Sequence, residues 1–232
     1  MTTNALVGWA PDLGEPTTFV LVRHGVTPLT REKRFSGFGG ADPALTAEGE
    51  QQVADAAAFL SDHEQHAALG RYAPFTRVDA IVASPLLRTQ QTAEALSAKL
   101  GLPIETDDGV RECGFGEWDG LTYAEVSERW PDELAAWLAS SAHAPPGGES
   151  FDAVFARVSA ARAALAERYR GKTVAIATHV TPIKSFVRDV LGAPATALYR
   201  MELAAASISV VQWYADGAGS LRTFNGTAHL TP

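Results

Sequence analysis

Short apolar runs alternate along this chain with longer stretches whose apolar positions recur every three or four residues. The first run, Phe19-Val20-Leu21-Val22, stops at Arg23-His24-Gly25. A second, residues 78–83, stops at Ser84-Pro85, and a third, 173–177, stops at Thr178-His179. Each has the length and β-preference of a buried strand that delivers polar residues at its C-terminal end. Residues 207–214, then Asp216-Gly217, then 221–224 read as a hairpin. Helical stripes lie between these runs. Residues 46–60 place Val53, Ala56, Ala57 and Leu60 on one face. Ser84 as N-cap and Pro85 in the first turn predict a helix burying Leu86, Ala93, Leu96 and Leu100. Ser150 predicts a longer helix with Phe151, Val154, Phe155, Val158, Leu165 and Tyr169 on one side. Thr181-Pro182 opens another, ending near Gly192 and Pro194. Strands alternating with helices predict an α/β fold around a largely parallel sheet, in which ligands gather at the C-terminal strand ends.

Composition narrows the class. With 232 residues, 46% of them hydrophobic, the chain can build one large domain, expected over 18–232. Residues 1–17 carry Pro11, Gly14 and Pro16 without periodicity, which predicts a flexible tail or interdomain linker. The net charge of −8 and the lack of a basic stripe make nucleic acid a poor partner for this domain alone. A single cysteine, Cys113, allows neither an internal disulfide nor a cysteine metal site. No apolar run approaches the roughly 18 residues of a membrane helix, and the N-terminus lacks the charged start of a signal peptide. The expectation is a cytoplasmic protein without membrane contact.

Three of the strand ends carry chemistry. Arg23-His24-Gly25 sets a permanent cation beside an imidazole, which discourages protonation and keeps a lone pair for attack. Arg88 falls early in the helix after Ser84, where it opposes the macrodipole unless an anion lies in front of it. His179 stands where a strand meets a helix N-terminus, whose free N–H groups favour an anion. Each alone has a bland reading: a surface turn, a solvated arginine, a satisfied core histidine. Together they supply two fixed positive charges, a nucleophile and a second imidazole. Phosphoryl transfer, which is chiefly positioning and charge neutralisation, can use that set without metal or cofactor. The glycine-punctuated loop 111–120 adds three carboxylates, Glu112, Glu117 and Asp119, as candidate proton donors, and spacing does not choose among them.

The segments LVRHGVT at 21–27, RFSG at 34–37, LTAEG at 45–49, SPLLRTQQTAE at 84–94, RECGFGEWDG at 111–120, GGES at 147–150 and THVTPI at 178–183 together resemble the histidine phosphatase, or phosphoglycerate-mutase-like, superfamily. The resemblance implies a three-layer α/β/α sandwich around a mostly parallel six-stranded sheet. It implies His24 as phosphorylated nucleophile, Glu112 as general acid and base, and Arg23, Arg88 and His179 as the phosphate pocket. Ser36 and Gly37 would lie in the loop closing over it, with Thr30 and Val180 as further substrate contacts. Thr30 stands where many mutase-branch members have Asn, and Val180 where many relatives have Gly.

Phosphoglycerate mutases carry basic residues in the lid, here expected around 121–150. Residues 131–156 contain no Lys or Arg, which argues for a phosphatase over a mutase, and retention of both His24 and Glu112 argues against a non-catalytic phosphate-binding module. Trp130, Trp137 and Leu138 either meet an apolar part of the substrate or pack the lid on its own core. The PPGGES and THVTPIK stretches resemble α-ribazole-phosphate phosphatases, and still more the C-terminal acid phosphatase domain of actinobacterial bifunctional ribonuclease H/phosphatase proteins. That resemblance implies a small-molecule phosphomonoester as substrate and fusion to a ribonuclease H domain in a longer parent chain. Cys113, next to Glu112, is expected to feel alkylation at the site if its loop packs around the pocket.

Overall fold

The computed structural model describes residues 14–64 and 75–230. The tail expected over 1–17 lies mostly outside these residues, and its last residue, Thr17, already belongs to a strand. Six strands form one sheet: β1 Thr17–Arg23, β2 Ala80–Ala83, β3 Ile104–Thr106, β4 Thr173–Thr178, β5 Ile208–Trp213 and β6 Gly219–Gly226. Their order across the sheet is β3-β2-β4-β1-β5-β6. The β3-β2-β4-β1 half is parallel, and β5 runs antiparallel to both β1 and β6. The expected hairpin is therefore β5–β6. The three-residue β3 is the strand that hydrophobic patterning does not reveal, being too short to show a period.

β1 sits near the middle of the sheet, and its alternation divides the core. Phe19 and Leu21 join one cluster with Val154, Val158, Ile183 and Phe186, whereas Val20 and Val22 join another with Ala56, Leu60, Ala93 and Leu96. Successive side chains of a strand point to opposite faces, so both faces must be covered by helices. One face takes α2 (Ala47–Ser61) and α3 (Leu87–Leu100), which follow α1 (Pro28–Arg31). The other takes α6 (Phe151–Arg168) and α7 (Val180–Leu191). Between the layers' ends lie α4 (Tyr123–Arg129) and α5 (Pro131–Ala139), in the region expected to form a lid.

Helix starts follow the sequence signals with one instructive exception. Thr46 and Ser150 cap α2 and α6, accepting from Gly49 N and Ala153 N. Ser84 does not cap α3, which begins at Leu87. The Ser84 hydroxyl pairs instead with His179, and the Asp42 carboxylate, from a distant loop, accepts from Leu87 N at 2.9 Å. Gly25 also differs in its reason. A Cβ there would come within 2.4 Å of the Gly49 carbonyl oxygen, so the glycine permits backbone contact with the first turn of α2 rather than a sharp turn.

Candidate active site

The C-terminal ends of β1, β2 and β4 bring the predicted residues to one place. The rings of His24 and His179 lie with centroids 5.2 Å apart in an edge-on arrangement. Both are buried, at 5% and 0% exposure, and Arg88 is 1% exposed. His24 Nδ1 lies 2.8 Å from the Gly25 carbonyl oxygen. That oxygen can only accept, so Nδ1 carries the proton and Nε2 keeps the lone pair. Burial first, then the Arg23 and Arg88 cations, hold the His24 pKa well below the ordinary histidine range. Sequence reasoning named the neighbouring charge; desolvation is the larger cause. His179 is likewise held low, by burial and then by Arg88, and its Nε2 meets Ser84 Oγ at 2.7 Å.

The guanidiniums are anchored from behind. Arg23 Nη1 donates to the Leu203 carbonyl, and Arg88 Nη2 donates to the Ser36 carbonyl at 3.0 Å, with Asp42 at 3.4 Å from its Nη1. Arg23 Nε, Arg88 Nε, His179 Nδ1 and Ser36 Oγ are buried without a hydrogen-bond partner among the described residues. Buried polar atoms are rarely left so. Four of them around two imidazoles and two guanidiniums fit a small multivalent oxyanion such as a phosphoryl group.

Glu112 is 5% exposed, and its Oε1 accepts from Cys113 N at 2.9 Å and from Thr181 N at 3.2 Å. The N-terminus of α7, expected from sequence to receive the substrate anion, thus gives one of its amides to Glu112. Of the two other carboxylates in the loop, Asp119 accepts from Gly37 N at 2.6 Å and Ala41 N at 3.1 Å, which pins the 36–42 loop. Glu112 alone of the three lines the main cavity. Cys113 corrects an expectation. It is fully buried, its Sγ faces the Glu149 carbonyl at 3.4 Å, and burial raises its pKa far above the ordinary thiol value. Alkylation in the native state has no route to it.

A cavity of about 450 Å³ opens over this floor. Arg23, His24, Thr30, Ser36, Glu112 and Val180 line it, whereas Arg88 and His179 lie buried behind the exposed surface. Gly37 does not line this cavity. Its N–H is taken by Asp119, and a Cβ there would meet the Cys113 carbonyl oxygen at 2.3 Å, so the glycine serves loop contact rather than an open substrate contact. The Thr30 hydroxyl pairs with Thr27 Oγ1 at 3.0 Å. The upper wall is aromatic: Phe35, Phe115, Trp137, Phe151 and Tyr199. Trp137 both packs and lines. Its ring meets Phe151 at 4.9 Å and Trp118 at 5.6 Å, while one edge borders the cavity. Trp130 packs against the core and Leu138 is exposed, so of the three lid residues singled out from sequence only Trp137 borders the cavity. Sequence reasoning missed Lys33, Arg34 and Lys184 in the lining, and Ser84 and Asp42 behind it. Isolated lysines, serines and aspartates carry no pattern of their own.

Residues 19–226 match the family model described as the histidine phosphatase superfamily (branch 1). "Bifunctional protein Rv2228c" of Mycobacterium tuberculosis is 42% identical over 223 residues, which are 96% of this chain and 57% of that protein. The chain therefore spans little more than half the length of this curated relative. "Probable phosphoglycerate mutase GpmB" of Salmonella choleraesuis is 33% identical over 220 residues, 90% of this chain and 93% of that one. Among solved structures, mycobacterial glucosyl-3-phosphoglycerate phosphatase Rv2419c in complex with VO3 is 26% identical. It superposes with a TM-score of 0.77 over 90% of this chain and 99% of its own.

Proposed function

The chain belongs to the histidine phosphatase superfamily, and from that premise we propose that it is a metal-independent phosphomonoesterase of the acid phosphatase type, working through a phosphohistidine at His24. The observation that carries the proposal is the His24 tautomer, fixed by the Gly25 carbonyl with Nε2 free, beside the buried Arg88, the half-buried Arg23 and His179. His24 Nε2 attacks phosphorus and the bond to the ester oxygen breaks. Glu112 gives its proton to that oxygen, and the alcohol departs. Water then attacks the phosphorus of phospho-His24 as Glu112 takes a proton back, the P–N bond breaks to return the lone pair to His24 Nε2, and inorganic phosphate leaves. Arg23, Arg88 and His179 neutralise the equatorial oxygens throughout. A nucleophile whose pKa is held low stays unprotonated in mild acid, which suits an acid phosphatase.

A labelled phosphomonoester, quenched within one turnover, should leave acid-labile phosphate on His24, and His24→Ala should abolish both label and turnover. Turnover by His24→Ala at the wild-type rate would end the proposal. Metal independence predicts full activity after EDTA treatment, and loss of activity restored by a divalent cation would contradict it.

A phosphoglycerate mutase is the second reading, favoured by the GpmB relative. Against it, residues 131–156, which run from α5 into the start of α6, bear no Lys or Arg, so the lid itself offers a substrate carboxylate no cation. Interconversion of phosphoglycerates faster than their hydrolysis would establish it. Within the phosphatase reading, α-ribazole phosphate and glucosyl-3-phosphoglycerate belong first on a substrate panel. We also propose a cytoplasmic location and a small-molecule substrate rather than nucleic acid. Among the described residues no helix is long and apolar enough to cross a membrane. Fusion to a ribonuclease H domain remains a proposal about a longer parent chain, tested by assaying its full-length product on RNA/DNA hybrids.

A further inference from the structure

The proposed chemistry uses Arg23, Arg88, His179, His24 and Glu112, and leaves two cations of the same cavity without a role. Lys33 and Lys184 both line it, and neither forms an ion pair among the described residues. Lys184 Nζ donates to the Leu198 carbonyl at 2.9 Å, which uses one of its three protons. Burial, ahead of the opposing pull of Glu112, draws its pKa down from the ordinary lysine value. Arg34 differs, because Glu32 and Glu125 already neutralise it.

Lys33 follows α1 with a left-handed backbone, φ 55°. Glycine or asparagine is the favoured residue there. A lysine at a helix C-terminus has a bland explanation in the macrodipole. That explanation is weak here, since α1 is only four residues long. Charge balance points the same way. With the paired Arg34 set aside, three cations, Arg23, Lys33 and Lys184, line the cavity against one carboxylate, Glu112, in a chain of net charge −8. A phosphoryl group of about two negative charges is already matched by Arg23 and Arg88. The two lysines are surplus to it, and the same cavity is lined by the apolar rings of Phe35, Phe115 and Phe151.

We propose that Lys33 and Lys184 form a subsite for a second anionic group, so that the preferred substrates are phosphomonoesters with an apolar body and a further acid such as a carboxylate. This inference rests on the phosphatase reading and narrows its substrate class. The cations it uses lie outside the lid, which is why an uncharged lid does not exclude an anionic substrate.

The test compares kcat/KM for 4-carboxyphenyl phosphate and its neutral isostere 4-carbamoylphenyl phosphate. The amide makes the better leaving group, so intrinsic reactivity opposes the expected preference. Wild-type protein should favour the carboxylate about tenfold, the value of one charged hydrogen bond. Lys33→Gln with Lys184→Gln should bring the ratio close to one. Lys33 is exposed, so Lys33→Gln alone must already lower the ratio, whatever the half-buried Lys184 substitution does to the fold. A wild-type ratio near one, or a ratio indifferent to both substitutions, overturns the subsite while leaving the phosphatase intact. Hydrolysis of neither ester overturns the phosphatase reading and the subsite with it.

Discussion

The floor of the cavity and its upper wall are built on opposite principles. The floor is polar, buried and held by directional contacts: His24 on the Gly25 carbonyl, Arg88 on the Ser36 carbonyl, Glu112 on two backbone amides. Several of its atoms remain unpaired among the described residues. The wall is a set of aromatic rings at centroid distances of 4.9–6.1 Å, with Tyr199 O–H donating to the Trp137 carbonyl as a hydrogen bond among them. Burying unpaired polar groups costs stability, whereas burying rings supplies it. The floor therefore lowers stability to bind an anion, and the wall both stabilises the fold and shapes what lies beyond that anion. Substitutions should separate the two regions cleanly.

The largest effect is expected at Glu112. Glu112→Gln should lower kcat on an alkyl phosphate by about 10³-fold and far less on 4-nitrophenyl phosphate, whose leaving group departs without a proton. Equal losses on both esters would remove Glu112 from the proton-transfer role. Arg88→Lys keeps the charge and loses the planar fork. It should cost about 10²-fold in kcat/KM, read in steady-state kinetics. A wild-type value would mean that Arg88 serves packing alone.

On the wall, Trp137→Ala should lower unfolding free energy by about 3–5 kcal/mol, measured by urea denaturation. Its effect on kcat for a small ester should be much smaller than that of Glu112→Gln. The reverse order of effects would erase the distinction between the regions.

The smallest effect concerns pH. His24 and His179 have folded pKa values below the ordinary 6.5. Above about pH 7.5 they are essentially neutral in both states and stability is indifferent to them. Below it the unfolded chain takes up protons that the folded one refuses, so stability falls as pH drops toward the folded values. The slope reaches at most about 1.4 kcal/mol per pH unit for each histidine. Urea midpoints should be nearly flat above about pH 7.5 and decline most steeply from about pH 6.5 to 5.5, and a rise over the second interval would contradict the burial of neutral imidazoles.

The same division governs what the chain discloses before it is folded. The floor is legible because apolar runs end on Arg23-His24, on Ser84 with Arg88 close behind, and on His179, residues that suit a strand end poorly unless they serve chemistry. The wall is legible only in part, since Trp137 in the lid reads first as packing and only second as cavity lining, and it does both. The partners behind the floor are hidden. Ser84 looks like a helix cap until His179, 95 residues away, takes its hydroxyl. Asp42 looks like a loop acid until it caps α3 and approaches Arg88. Lys33 and Lys184 carry no local signal, and only the packing of α1 and α7 around one space gives them meaning.

The central claim, that four side chains from three separate stretches of the chain converge on one phosphoryl-sized site, is tested most directly by a crystal structure with orthovanadate. Vanadium should bond to His24 Nε2, with its equatorial oxygens contacted by Arg23, Arg88 and His179. Vanadate bound away from the His24 ring, or His179 turned toward a separate region, would contradict the account.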